Sequence, residues 1–304
     1  MNLSLTLENC RICPRQCGVN RFDEKAGFCR SGNLPIISSI CIHKGEEPVI
    51  SGKKGICNLF FAHCNLRCIY CQNYQISRNE NDNAGIVCSI EKATEQIIAI
   101  LDQGIDILGF VSPSHFVVQM IDIIDLLHDR GYFPTIVYNS NGYDSVDTLS
   151  QISDYIDVYL PDLKYCNNSL GKRYSNVNNY MEVSQNAVKE MYRQKGSALK
   201  IDENGLIRNG MIIRHLALPE ATDDSKKVMQ FIADIDSQIY ISLMAQYYPP
   251  FQMEFQELNR KVNPDEYEKL LDFIDVLGLE NGWIQDLKSS DVYKPDFERE
   301  NPFN

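Results

Sequence analysis

The run His63-Cys64-Asn65-Leu66-Arg67-Cys68-Ile69-Tyr70-Cys71 places three cysteines at C-x3-C-x2-C spacing, with no further cysteine close behind. Three thiolates on one short loop can hold three corners of a cubane iron–sulfur cluster, one fewer than ferredoxin-type clusters take. One iron is then left for a ligand the protein does not supply. An open coordination position separates a catalytic metal site from a structural one, a rule stated for zinc that carries over to iron. Zinc ligands usually come as C-x2-4-C pairs with the second pair well separated, so a tight triple suits zinc poorly even with His63 adjacent. Unliganded thiols are the remaining alternative.

A second group, Cys10, Cys13, Cys17 and Cys29, lies among Gly18, Gly27 and Gly32 near the start of the chain. So small a glycine-rich unit cannot bury a core of its own, and a metal would staple it. Zinc and a second [4Fe–4S] cluster each accept such a set of thiolates, and spacing does not choose between them. Cys41, Cys57, Cys88 and Cys166 have no spacing partners; Cys57 sits in an apolar run and reads as a small buried hydrophobe. The segment Met1–Leu7 is a poor secretory signal, and eleven cysteines without one point to a reducing compartment, hence a cytoplasmic protein. No apolar run reaches the ~18–20 residues of a membrane span. A net charge of −12 argues against nucleic-acid binding, which needs basic surface.

These residues need a frame. Strand-like apolar runs occur at 56–61, 105–111, 135–138, 156–160, 211–216 and 239–243. Helical patterns lie between them: one after a Ser89 cap, one from Val117 to Leu127 before Gly131, and others at about 178–194 and 224–235. Asn263-Pro264-Asp265-Glu266 reads as a capping box opening a last helix. Alternating strands and helices imply a parallel sheet with right-handed crossovers, either flat or curled into a partial barrel. Ligands gather at the carboxyl ends of such strands, and the cysteine loop directly follows the first of them.

With Tyr70 just before the last cysteine, the motif resembles the signature of the radical S-adenosylmethionine (radical SAM) superfamily. Gln72-Asn73, Ile76-Ser77, Pro219-Glu220 and Tyr247-Tyr248-Pro249-Pro250 extend the resemblance to its pyruvate formate-lyase-activating-enzyme-like branch, over about residues 10–286. The resemblance implies an α/β fold, a partial (β/α)6 TIM-like barrel with a small cysteine-rich extension. The corresponding divisions are 1–50 for the extension, 51–286 for the core and 287–304 for a tail. It implies a [4Fe–4S] cluster on Cys64, Cys68 and Cys71 and SAM bound beside Tyr70 and Asn73.

The strand ends supply further SAM candidates. Gly109-Phe110-Val111-Ser112-Pro113-Ser114 departs from the Gly-Gly-Glu-Pro stretch of many members, so Ser112 and Ser114 would substitute, unless Ser114 merely caps the next helix. Asn139 and Asn141 resemble the ribose-contacting stretch of the activating enzymes, or form an ordinary Asn-Gly turn with Gly142. Asp162-Leu163-Lys164 resembles a run in those enzymes; a surface ion pair is the alternative. Arg214, within an apolar run, would meet the SAM carboxylate or a structural aspartate, while His215 on the opposite face would pack.

In the family an electron from the reduced cluster cleaves SAM to methionine and a 5′-deoxyadenosyl radical that abstracts hydrogen. The implied partners are a flavodoxin or ferredoxin reductant and a substrate that is a protein, a peptide or a small molecule. The branch suggests activation of a glycyl radical enzyme. Yet His43-Lys44-Gly45-Glu46-Glu47-Pro48 replaces the Gly/Arg-rich stretch of established activators, and the N-terminal cysteines are not theirs. The alternative is a non-catalytic iron–sulfur or zinc module serving redox or binding.

Overall fold

Side-chain alternation along the strands sets the architecture. The computed structural model describes residues 5–23, 27–292, 294–299 and 301–303. Among them, ten strands form one sheet: β1 (Ile36–His43), β2 (Ile56–Phe61), β3 (Ile86–Val87), β4 (Ile107–Val111), β5 (Thr135–Ser140), β6 (Val158–Pro161), β7 (Lys200–Ile201), β8 (Ile207–Leu216), β9 (Tyr240–Met244) and β10 (Gly282–Ile284). The order is β10-β9-β8-β6-β5-β4-β2-β1-β3, with β7 added to β8. The seven strands from β2 to β10 along this path pair in parallel, and β1 runs antiparallel to β2. β3 and β10 end the path without pairing to each other, so the sheet is a partial TIM-like barrel.

One set of side chains faces helices. Cys57, Leu59 and Phe61 of β2, Leu108 and Phe110 of β4, and Met211 and Ile213 of β8 belong to the main core. That core is completed by α3 (Ile90–Leu101), α4 (Val117–Asp129), α5 (Val146–Gln151), α7 (Tyr180–Lys195), α8 (Thr222–Ile235) and α9 (Pro264–Leu277). The alternate set, Ile56, Ile107, Val137, Val158, Leu160 and Ile212, fills the bottom of the barrel. Strands buried on both faces read as continuous apolar runs, which is why these were visible in the sequence. The Ser89 cap and the Asn263–Glu266 capping box both form.

Three features went unseen in sequence. β1 lies within the stretch read as extension, yet it extends the sheet beside β2. Between β1 and β2 a single turn, α1 (Pro48–Ser51), puts Val49 and Ile50 into the bottom core as a plug. The tail after β10 includes one turn, α10 (Ser289–Val292), and then returns to β1 and β2. There the Phe297 and Phe303 rings lie 5.3 and 5.5 Å from Phe60, and Phe303 lies 3.9 Å from His43. Gln75 of α2 (Tyr74–Ser77) secures this return, accepting from the Phe297 N–H at 2.9 Å.

Candidate functional site

The loop after β2 begins with His63 in the left-handed region, at φ 66°, which turns the chain so that Cys64, Cys68 and Cys71 all line one cavity. Its shape is held by asparagines. Asn79 accepts from the Cys64 N–H at 2.9 Å and donates to the carbonyls of Cys64 and Phe28. Asn65 donates to the Tyr143 carbonyl at 2.7 Å and accepts from Asn141 at 2.7 Å.

Each thiol has hydrogen-bonding neighbours. The Asn141 amide and the Leu66 N–H each donate to Cys64 Sγ at 3.3 Å. The Ser77 hydroxyl donates to Cys71 Sγ at 3.2 Å, and Ser175, at the end of α6 (Asn168–Ser175), lies 3.0 Å from Cys68 Sγ. Burial pushes the Cys64 thiol up to about 12 and Cys68 to about 11. These groups therefore need a bound cation to become thiolates at neutral pH. Burial, access to the cavity and donors aimed at sulfur fit an iron–sulfur cluster, whose sulfurs accept such bonds.

A wall of tyrosines backs the loop. Tyr70 sits edge-on to Tyr165, Tyr174 and Tyr247, and the Tyr165 hydroxyl donates to that of Tyr70 at 2.6 Å. Tyr180 spans the strand ends, donating to the carbonyls of Asn141 and Asp162. A side chain at Gly142, φ 77°, would strike the Asp162 carbonyl, so the Asn-Gly turn is needed for this close approach.

Beyond the loop the cavity runs to about 640 Å³. Asn73, Ser112, Asn139, Asn141, Asp162, Lys164 and Arg214 line it together with the three cysteines and Tyr70. Ser112 is in the left-handed region at φ 57°, an uncommon conformation that clusters at functional sites. Ser114 is not brought in: it lies in a turn of 3-10 helix, buried beside Asp144, and the helix after it starts from Phe116. His215 packs as expected, bonded to the Leu163 carbonyl and the Ser225 hydroxyl.

The ionised residues form one network. Lys164 Nζ donates to Asp162 at 2.7 Å, while Arg214 donates through Nε to Asp162 (3.1 Å), through Nη1 to Glu46 (3.0 Å) and through Nη2 to Asn139 (2.7 Å). Burial alone would raise the Asp162 carboxyl, but Lys164 and Arg214 hold it below the usual range. Burial alone would lower the Lys164 ammonium, but Asp162 keeps it above its ordinary value. Glu46 and Glu47 were missed in the sequence because only the fold brings them to Arg214, 168 residues away from Glu46. Asn58 reaches Glu46 at 2.8 Å across Gly109, where a Cβ would collide with the Asn58 amide.

Cys10, Cys13, Cys17 and Cys29 line one small pocket with Arg15, Arg21 and Asn65. Arg21 donates to Cys10 Sγ at 3.1 Å and to the His115 carbonyl, and the Phe28 N–H donates to Cys17 Sγ at 3.4 Å. Among the described residues no three His, Cys, Asp or Glu side chains converge at the spacing of a single ion. None of the helices described is long and apolar enough to cross a membrane.

The chain is 30% identical over 280 residues to the uncharacterized protein MJ0674 of Methanocaldococcus jannaschii, covering 90% of this chain and 76% of that one. Among solved structures it resembles the FeFe-hydrogenase maturase HydG from Carboxydothermus hydrogenoformans, with a TM-score of 0.52, 14% identity, and coverage of 75% of this chain and 52% of that one. It also resembles Streptococcus suis SuiB bound to S-adenosylmethionine, with a TM-score of 0.48, 13% identity, and coverage of 74% and 48%. The chain thus spans about half the length of these two structures. The model of the Radical SAM superfamily matches residues 58–232, from the strand that carries the cysteine loop through most of the barrel, and the chain belongs to that superfamily.

Proposed function

We propose that this protein cleaves SAM reductively at a [4Fe–4S] cluster held by Cys64, Cys68 and Cys71 and abstracts hydrogen from a substrate lodged in the barrel. The observation that carries the reading is that all three thiols open into a cavity of about 640 Å³ already lined with polar strand-end residues. A pure electron carrier would have no use for such a space. When bound, cluster and SAM supply carbon–sulfur cleavage and the hydrogen-abstracting radical, with the electron drawn from a flavodoxin- or ferredoxin-type reductant.

The chain's own residues bind and orient. Asn141, Ser77 and Ser175 hold the sulfurs, and Lys164 sets a positive charge beside Cys68. Asp162, Lys164, Asn139 and Asn141 offer the polar contacts that the amino acid and ribose parts of SAM require, and Ser112 and Asn73 stand at the cavity wall. Arg214 spends three N–H donors on protein acceptors and keeps two for a ligand. The buried tyrosines keep water from the loop. A protein or peptide segment, a glycine in the activator reading, is the substrate class supported by the likeness to activating enzymes. Cys10, Cys13, Cys17 and Cys29 form the proposed second metal site, supported by their shared pocket and the Arg21 donor; of zinc and a second cluster, the lack of single-ion convergence among the described residues favours the cluster.

The test is anaerobic reconstitution and reduction, addition of SAM, and detection of 5′-deoxyadenosine by mass spectrometry, with iron and zinc counted on the same sample. Product that disappears in Cys68→Ala supports the reading. Undiminished product in that variant, or a loaded cluster that never cleaves SAM, refutes it.

A further inference from the structure

The bottom of the cavity carries a carboxylate that the network above does not use. Glu47 is 93% buried by the 7% exposure of its residue, stands on the α1 plug, and lines the cavity. Its Oε2 is buried without a hydrogen-bond partner among the described residues. Arg214 bonds Asp162 and Glu46, and Lys164 bonds Asp162, whereas Glu47 makes no ion pair among the described residues. Burial raises its carboxyl pKa, with Arg214 and the Ser242 hydroxyl opposing. A buried carboxylate whose nearby cation, Arg214, is already bonded to Asp162 and Glu46 stays under-compensated unless a ligand supplies further positive charge.

The surroundings suit a cation. Arg214, Ser242 and Trp283 are cross-strand neighbours on β8, β9 and β10 and face the same space as Glu47. Trp283 gives an aromatic wall, on which an ammonium or guanidinium is attracted by the ring as well as by the carboxylate. His43 also lines this cavity, with Nδ1 buried and without a hydrogen-bond partner among the described residues.

We propose that Glu47, with Ser242 and Trp283, is the anchor for a protonated amine or guanidinium group of the substrate. This rests on the reading of the cavity as a radical SAM substrate chamber and adds the chemistry of what enters it. The cation comes either from a basic side chain of a peptide or from a small-molecule amine.

Trp283 is the only tryptophan in the chain, so its fluorescence reports on this place. Reconstituted protein titrated with n-butylamine, n-butylguanidine or a blocked Ala-Lys-Ala peptide is expected to show saturable fluorescence change and calorimetric binding. n-Butanol, of the same length without charge, is expected to show neither. Glu47→Gln is expected to weaken binding of the cations at least ten-fold, as loss of a charge-assisted bond requires. Whichever of amine and peptide binds more tightly identifies the source. No saturable binding of any cation, equal binding of butanol and butylamine, or equal affinity in Glu47→Gln would overturn the proposal. SAM cleavage is assayed on the same wild-type preparation. Cleavage without amine selectivity sinks the Glu47 anchor alone, whereas amine binding without cleavage sinks the radical SAM reading and, with it, the anchor's role toward that enzyme's substrate.

Discussion

Arg15 Nε donates to the carbonyl of Asn65 at 2.8 Å, joining the N-terminal cysteine segment to the residue beside Cys64. The guanidinium also lies 3.6 Å over the Phe28 ring, and Phe28 in turn is bonded through its carbonyl to Asn79, the residue that brackets Cys64. The two cysteine groups therefore share one scaffold, though 35 residues separate Cys29 from Cys64 in the chain.

Arg15→Ala removes the bond to Asn65 and the stacking on Phe28 together. Unfolding free energy should fall by about 1–3 kcal/mol, the range for a lost charge-assisted hydrogen bond. Denaturant unfolding of the two proteins checks this, with Arg15→Lys recovering little because it cannot stack as a plane.

Asn141→Ala takes a donor from Cys64 Sγ and from Asn65 at once. Losing a hydrogen bond that orients a metal ligand costs roughly 10–100-fold in metal affinity or activity. The cluster's reduction potential should move down and 5′-deoxyadenosine formation should slow, read by redox titration and product assay; an unchanged potential would assign Asn141 to loop packing alone.

Arg214→Ala leaves Glu46 without its cation and Asp162 with Lys164 alone. Breaking a buried pair from one side costs about 3–5 kcal/mol. Chemical unfolding should show that loss, and SAM affinity measured by calorimetry should fall as well because the strand-end carboxylate is no longer held.

Two buried imidazoles give a pH dependence. Burial lowers His115 to about 3 and His215 to about 4, so both are neutral in the folded protein near pH 7. The unfolded chain takes up protons near its ordinary value of ~6.5 while the folded protein does not. Stability is thus fully present above that value and is lost as pH falls through it toward pH 4. The slope is about 1.4 kcal/mol per pH unit for each histidine. Unfolding midpoints at pH 7, 6 and 5 measure it, and His215→Gln should remove part of the slope.

The parallel strands were legible because each is buried on both faces, and β2 matched to the residue. β1 was hidden: Ile36-Ile37-Ser38-Ser39-Ile40-Cys41 mixes polar and apolar residues without clean alternation, and its partners are residues of β2 and β3. β10 is too short to signal itself and exists through pairing with β9. The C-x3-C-x2-C loop could be read because its spacing is local, and the fold sets its three thiols on one cavity. Asn65, Asn79, Ser175, Glu46 and Glu47 were not, since what each does depends on residues far along the chain.

The described tail residues, 289–292, 294–299 and 301–303, leave the barrel a sleeve with a seam. Elsewhere its wall is stitched by backbone ladders, and widening it there would break several hydrogen bonds together. Along the seam between β10 and β1 the fastening is Phe297 and Phe303 laid on Phe60 and His43, with Gln75 as a latch. Losing those contacts would cost side-chain contacts alone, without unpicking a single strand.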